Sequence, residues 1–237
     1  MTSEAPGATR KLFWEDMYMR SFDARVVRAD GPRVVLDRTA FNPRGGGLLS
    51  DTGTLGGSRV AEALKEGEAI VHVLEGAAPA VGEEVQGELD WERRHRIMRM
   101  HTAAHLLSAI VNRETGALIT GNQIAPLESR IDFNLDQFDR EKLTDYVAAV
   151  NATAARGLEV KAYFMRREEA QAVPGLVKLA NAAPPSVEIL RIVQIGDADT
   201  QADGGVHVRN TSEIGQVEAL RVDNKGKNNR RLYFTVK

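Results

Sequence analysis

The chain has 237 residues, a formal net charge of −2 and no cysteine. Its length exceeds the roughly 100–200 residues of one domain and predicts two, while 43% hydrophobic and 27% charged residues describe a folded protein with a core rather than a disordered or fibrous one. No apolar run approaches the ~20 residues that span a bilayer, the lack of cysteine excludes disulfides and thiolate metal sites, and the slightly acidic balance argues against a wide nucleic-acid footprint, so DNA is not an expected partner.

Residues 1–10, MTSEAPGATR, carry no apolar stretch that could serve as a secretory signal and read as a flexible tail. With no cysteine, that predicts a cytoplasmic protein. Residues 11–90 have a strand-and-turn rhythm. Arg25–Arg28 and Arg33–Asp37 flank Asp30-Gly-Pro, a strong turn signal. Gly45, Gly46 and Gly47 then demand a special backbone: a tight bend, positive φ or close approach of another chain segment. Strands at Arg59–Ala61 and Ala69–Leu74, and a strand pair within Val81–Asp90, predict a small β-barrel or curled sheet as an N-terminal domain. His72 sits in a strand pattern and is expected to be structural.

The pattern changes at Asp90-Trp91, where the domain boundary is expected. From Trp91 to Asn112 the residues favour helix, and Ile97, Met100, Ala104, Leu107 and Val111 form a stripe spaced by three and four. Strands follow at Leu118–Ile124 and Ser129–Leu135, then a helix from Asp136 to Arg156 with Leu143, Val147 and Val150 inward. A strand at Val160–Met165, a short helix before Pro174, and strands at Val187–Val193, Val206–Asn210, Val217–Val222 and Leu232–Val236 complete residues 91–237. The expected class is α+β, with helices packed on a largely antiparallel sheet.

Within that helix, His101 and His105 lie four residues apart, so both rings leave one face and can reach one ion. An isolated pair of this kind is equally compatible with two buried structural histidines. A third histidine, His207, closes the turn-like Asp203-Gly-Gly-Val-His207. Three of the chain's five histidines thus belong to two short motifs. A helical pair completed by a distant histidine is a common zinc arrangement, and Gly204 and Gly205 would let Asp203 fold toward the same point as a fourth, oxygen ligand. Two cationic patches flank these elements: Arg93, Arg94, Arg96 and Arg99, and Lys225, Lys227, Arg230 and Arg231.

HTAAHLL, followed about a hundred residues later by DGGVHVRNTSEIG, resembles the editing domain of alanyl-tRNA synthetase. The chain is more similar still to the free-standing AlaX family of alanyl-tRNA editing proteins. FNPRGGGLLSDTG looks like the glycine-rich motif of members with an N-terminal β-domain, and KGKNNRRL resembles the family's basic closing segment. The resemblance runs from about Phe13 to Phe234. It implies zinc, and hydrolysis of the ester joining a wrong amino acid, typically serine and sometimes glycine, to alanine tRNA. It assigns metal binding to His101, His105 and His207, and puts the family's usual cysteine ligand on Asp203.

Asp203 is a harder ligand than thiolate, which leaves metal identity open. Asp203 is either a ligand or a catalytic base beside a three-histidine ion, and the ion either polarises the ester, activates water or orients the terminal adenosine. Leu48 replaces the family's usual Gln, and Val206 its usual Thr. The tRNA is expected to meet Gly45, Gly46, Gly47, Arg93, Arg94, Lys225, Lys227, Arg230 and Arg231. A pocket selecting serine is expected to draw on Thr102, Thr120, Asn122 and Gln123, because a buried group that pairs with a hydroxyl rejects alanine. Two other classes stay compatible with these residues: an inactive tRNA-binding module, and a hydrolase of another small substrate on the same fold.

Overall fold

In the computed structural model, which describes residues 8–136, 140–173, 176, 180 and 187–237, two short elements come first, β1 (Arg10–Lys11) and one helical turn, α1 (Leu12–Glu15). The expected tail therefore stops earlier than residue 10. Thr9 is buried, donating its hydroxyl to Leu36 O and accepting from the Ile70 amide, so it is fastened to two strands. Residues 1–7 lie outside the described residues.

Six strands follow in the first unit besides the two-residue β4 (Arg38–Thr39), which pairs with β1. They are β2 (Ser21–Asp30), β3 (Arg33–Leu36), β5 (Gly53–Leu55), β6 (Ser58–Glu66), β7 (Ala69–Glu75) and β8 (Glu84–Leu89). Each pairs antiparallel with two neighbours in the order β2-β3-β7-β6-β5-β8, and β8 returns to β2, so the ladder closes on itself. Closure leaves no free edge among the six. Alternation along β2 buries Phe22, Ala24 and Val26, and Val34, Leu36, Leu55, Val60 and Ile70 of the other strands are buried as well. Gly53 makes the closure possible. A Cβ there would stand 2.0 Å from Glu88 O. The strand pair expected within Val81–Asp90 is a single strand, β8, because Val81-Gly82 forms a turn with Val81 exposed. His72 is fully buried, bonded to Val34 O and Thr39 Oγ1, and burial pulls its pKa from 6.5 down to about 4, so it stays neutral in the fold.

α2 (Trp91–Thr115) runs three residues beyond the expected helix. The two compact units divide inside it, Met1–Arg96 and Ile97–Lys237, rather than at residue 90. Arg94, in its first turn, is tied to Asp51, and both belong to the first unit. From Ile97 to Val111 nearly every position of α2 is buried, not merely a stripe.

The second unit holds two sheets. β9 (Ile119–Gln123), β10 (Ser129–Phe133), β14 (Val217–Asn224) and β15 (Arg230–Val236) form one in the order β14-β15-β10-β9. The other is β11 (Val160–Arg166), β12 (Ile189–Ile195) and β13 (Asp199–Ala202), all antiparallel. α3 (Arg140–Ala155) buries Tyr146, Val150 and Ala154, and the expected Leu143 and Val147 are only half-buried beside them. The expected start of that helix at Asp136–Asp139 falls partly outside the described residues. α4 (Arg167–Gln171) packs Ala170 into a cluster with Leu176, Leu190 and Ile192. One expected strand is absent. Val206–Asn210 is not a strand; the strand, β13, lies before the Asp203 turn rather than after it.

Candidate metal centre

α2 presents His101 and His105 one turn apart, and β13 ends immediately before Asp203, whose amide donates to Arg191 O. The chain then bends through Gly204 and Gly205 to His207. One ligand atom from each of His101, His105, Asp203 and His207 lies within 4.8 Å of every other. The Asp203 carboxylate is central: Oδ2 is 3.5 Å from His101 Nε2 and 3.8 Å from His105 Nε2, and Oδ1 is 3.3 Å from His207 Nε2. Ring centroids are 4.1–4.9 Å apart. Tetrahedral zinc holds nitrogen and oxygen at about 2.0–2.2 Å, which separates its ligands by roughly 3.3–3.6 Å, so this donor set fits such an ion.

A second observation supports the fit. Each imidazole donates its other nitrogen away from the centre. His105 Nδ1 donates to Asp199 Oδ2 at 3.0 Å, and His101 Nδ1 to Val206 O at 3.2 Å. His207 Nδ1 donates to Thr102 Oγ1 at 3.1 Å, since that hydroxyl spends its own proton on Met98 O. These bonds place a proton on Nδ1 of all three rings and turn each Nε2, the atom that ligates once it is unprotonated, toward the others. Metal-ligating histidines are oriented in this way.

The loop is pinned as well. Arg191 donates Nη1 to Asp203 O and Gly205 O, and the Gly205 amide donates to Asp203 Oδ1 at 2.6 Å. The buried Asp199 carboxylate also accepts from Gln201 Nε2 at 2.7 Å. Burial by itself would raise the Asp203 carboxyl, but the three histidines around it hold it well below the usual carboxylate range. Burial opposes protonation of His105, and Asp199 and Asp203 outweigh it, lifting its pKa to about 9. His207 goes the other way: burial and the neighbouring imidazoles keep it neutral. Asp199, Gln201 and Arg191 were not legible in the sequence as site residues; the only signal for the first two is their period-two spacing with Asp203.

Several expected site residues fall elsewhere. Thr102 is fully buried behind the His207 ring, with its hydroxyl committed to Met98, His207 and the Val208 amide. Thr120 and Gln123 are exposed on β9, bonded to Asn229 and Arg130, and Asn122 is half-buried. Arg94 is not a surface cation. It is 0% exposed and grips Asp51 through Nε and Nη2 while donating to Met17 O and Ala40 O. Arg93 donates to Ser50 O. Arg231 is paired with Asp132 through two 2.7 Å bonds, and Arg230 donates to the carbonyls of Gly226, Lys227 and Asn229. Lys225 and Lys227 are exposed.

The glycine motif forms a hairpin tip. Gly45 and Leu48 exchange backbone bonds across Gly46 and Gly47, whose φ values are 58° and 88°, as a two-residue hairpin turn requires. Its stem is closed by Asn42 and Asp51, which exchange two bonds, and the tip is exposed. Leu48 is buried, so an apolar residue at this position serves packing.

The family model described as threonyl and alanyl tRNA synthetase second additional domain matches residues 190–233, which include Asp203 and His207. Across 97% of its length the chain is 45% identical to the alanyl-tRNA editing protein AlaX-M of Saccharolobus solfataricus, covering 99% of that protein. It is 40% identical to the AlaX-M protein of Methanosarcina barkeri over 96% of its length and 99% of the relative's. It is also 41% identical over 96% of its length to the alanine–tRNA ligase of Pyrobaculum neutrophilum, of which it covers 27%.

Proposed function

We propose, since the chain belongs to the AlaX-M family of alanyl-tRNA editing proteins, that it hydrolyses the ester joining serine, or glycine, to mischarged alanine tRNA, acting in trans in the cytoplasm. The observation that carries the reading is the convergence of His101, His105, Asp203 and His207 on one point, with each histidine oriented from behind. These four residues would hold zinc. When bound, zinc supplies a positive, Lewis-acidic charge where the ester carbonyl gathers negative charge.

Asp203 acts in this reading as the fourth ligand. Its carboxylate is fixed by the Gly205 amide and surrounded by three imidazole nitrogens, and a carboxylate held so far below its usual range is a poor general base. Asp199 and Thr102 hold His105 and His207 in the ligating tautomer. The exposed Lys225 and Lys227 and the Gly45–Gly47 tip contribute contacts to tRNA.

Metal analysis together with release of serine from seryl-tRNA(Ala) tests this. His105→Ala and His207→Ala should each lose both zinc and deacylation while the chain remains folded. Full metal occupancy in either variant would overturn the ligand set. The same analysis on protein purified without added metal reads out whether the harder Asp203 selects another cation.

A further inference from the structure

Alternate residues of β13 share one face, which groups Asp199 with Gln201 and leads on to Asp203 just past the strand end. Asp199 meets His105, and Asp203 stands in the four-residue centre. Gln201 lies between them in sequence. It is 8% exposed and opposite the fully buried Val193. A buried amide is unfavourable unless protein hydrogen bonds replace its water. Gln201 spends its amide protons on two groups that both hold His105. Its Nε2 donates to Asp199 Oδ2 at 2.7 Å and to Ser108 Oγ at 3.4 Å. Asp199 Oδ2 is the same oxygen that accepts from His105 Nδ1. Ser108 donates its hydroxyl to His105 O at 2.9 Å, so its oxygen has lone pairs to offer Gln201. Both partners of the amide are acceptors, which sets its orientation with the NH2 group toward them. The bonds therefore close a ring that leaves the His105 imidazole, passes through Asp199, Gln201 and Ser108, and returns to the His105 backbone.

We propose that Gln201 is a positioning residue for the metal centre, acting through Asp199 to fix the oxygen that aims the His105 ring. The inference rests on the metal site of the reading above and adds a residue that touches none of its ligands' side chains. Carboxylate torsions are broad, so each donor on the oxygen that receives His105 narrows the range over which the ring swings. Ser108 braces the same histidine from its backbone end. The ion then meets a ligand already aimed, and partners behind a ligating histidine set affinity in this way.

The test is zinc competition titration on the full chain, with the visible spectrum of the cobalt-loaded form as a second readout. Gln201→Met nearly keeps the volume and removes the donor. It should weaken zinc binding roughly tenfold, the lower end for outer partners of a ligating histidine, and alter the cobalt spectrum. In an Asp199→Ala background the same substitution should change affinity by less than about twofold, because the group it acts through is gone. A Gln201 that merely supports the fold would lower affinity by the same factor in both backgrounds. That result, or wild-type affinity in Gln201→Met, would overturn the proposal. The wild-type chain supplies a check that needs no substitution: the Gln201 side-chain amide protons should shift in NMR spectra on zinc loading, and resonances that stay in place count against the role. Failure of the underlying reading looks different. A wild-type chain that takes up neither zinc nor cobalt refutes the metal centre itself, whereas a loaded wild type with an indifferent Gln201 refutes the positioning role alone.

Discussion

At the scale of single residues, the informative atoms are the three Nδ1 nitrogens that point away from the centre. They give a cluster that is ambiguous in sequence a defined direction, because a ring that donates backward from Nδ1 turns its Nε2 forward. Asp199 is the most consequential of the partners. It is charged and buried, and with Asp203 it raises the His105 pKa to about 9. The sign follows directly. Below about pH 9 the metal-free site carries a proton on His105 that a metal must displace, so zinc affinity should strengthen as pH rises from neutrality toward that value. Asp199→Asn keeps an acceptor for His105 but removes the charge. Zinc competition titrations should show affinity roughly 10–100-fold weaker at alkaline pH and a flatter pH dependence near neutrality. An unchanged affinity and slope would show that Asp199 does not tune the centre.

At the scale of elements, α2 was legible because its apolar residues recur every three to four positions and no Gly or Pro interrupts them before Gly116. The segment after Asp203 was not. Val206-His-Val has the alternation of a strand, but its backbone is held by side chains: Thr102 takes the Val208 amide and His101 donates to Val206 O. A chain whose polar groups are satisfied in this way needs no strand partner. The RRHR run misled for a related reason. Composition suggests a cationic helix face, whereas Arg94 is an anchor that ties the start of α2 to Asp51 and so to the stem of the glycine hairpin. Arg94→Met leaves the Asp51 carboxylate buried without its partner and should cost about 3–5 kcal/mol in urea denaturation. A midpoint equal to wild type would return Arg94 to the surface cations.

At the scale of the whole molecule, a net charge of −2 must accommodate a polyanionic partner. The cations of the closing segment divide into those already engaged and those facing water. Arg231 is bound to Asp132 and Arg230 to backbone carbonyls, while Lys225 and Lys227 are exposed. tRNA affinity should therefore fall steeply with salt, and Lys225→Ser with Lys227→Ser should lower the slope of log affinity against log salt by about one for each phosphate that the variant no longer neutralises. Filter binding across a salt series measures it. A double variant with the wild-type slope would exclude this segment from the tRNA interface.

The family and the four converging residues were readable from motif and spacing, since i,i+4 geometry on a helix and a Gly-Gly bend are properties of local chain chemistry. Tertiary structure alone decided which way each imidazole faces, that Arg94 and Thr102 are interior residues, and that Asp199 and Gln201 stand behind His105. The difference is physical. Local patterns are set by neighbours in the chain, but the partner of a buried donor depends on register between segments that sequence separation does not encode.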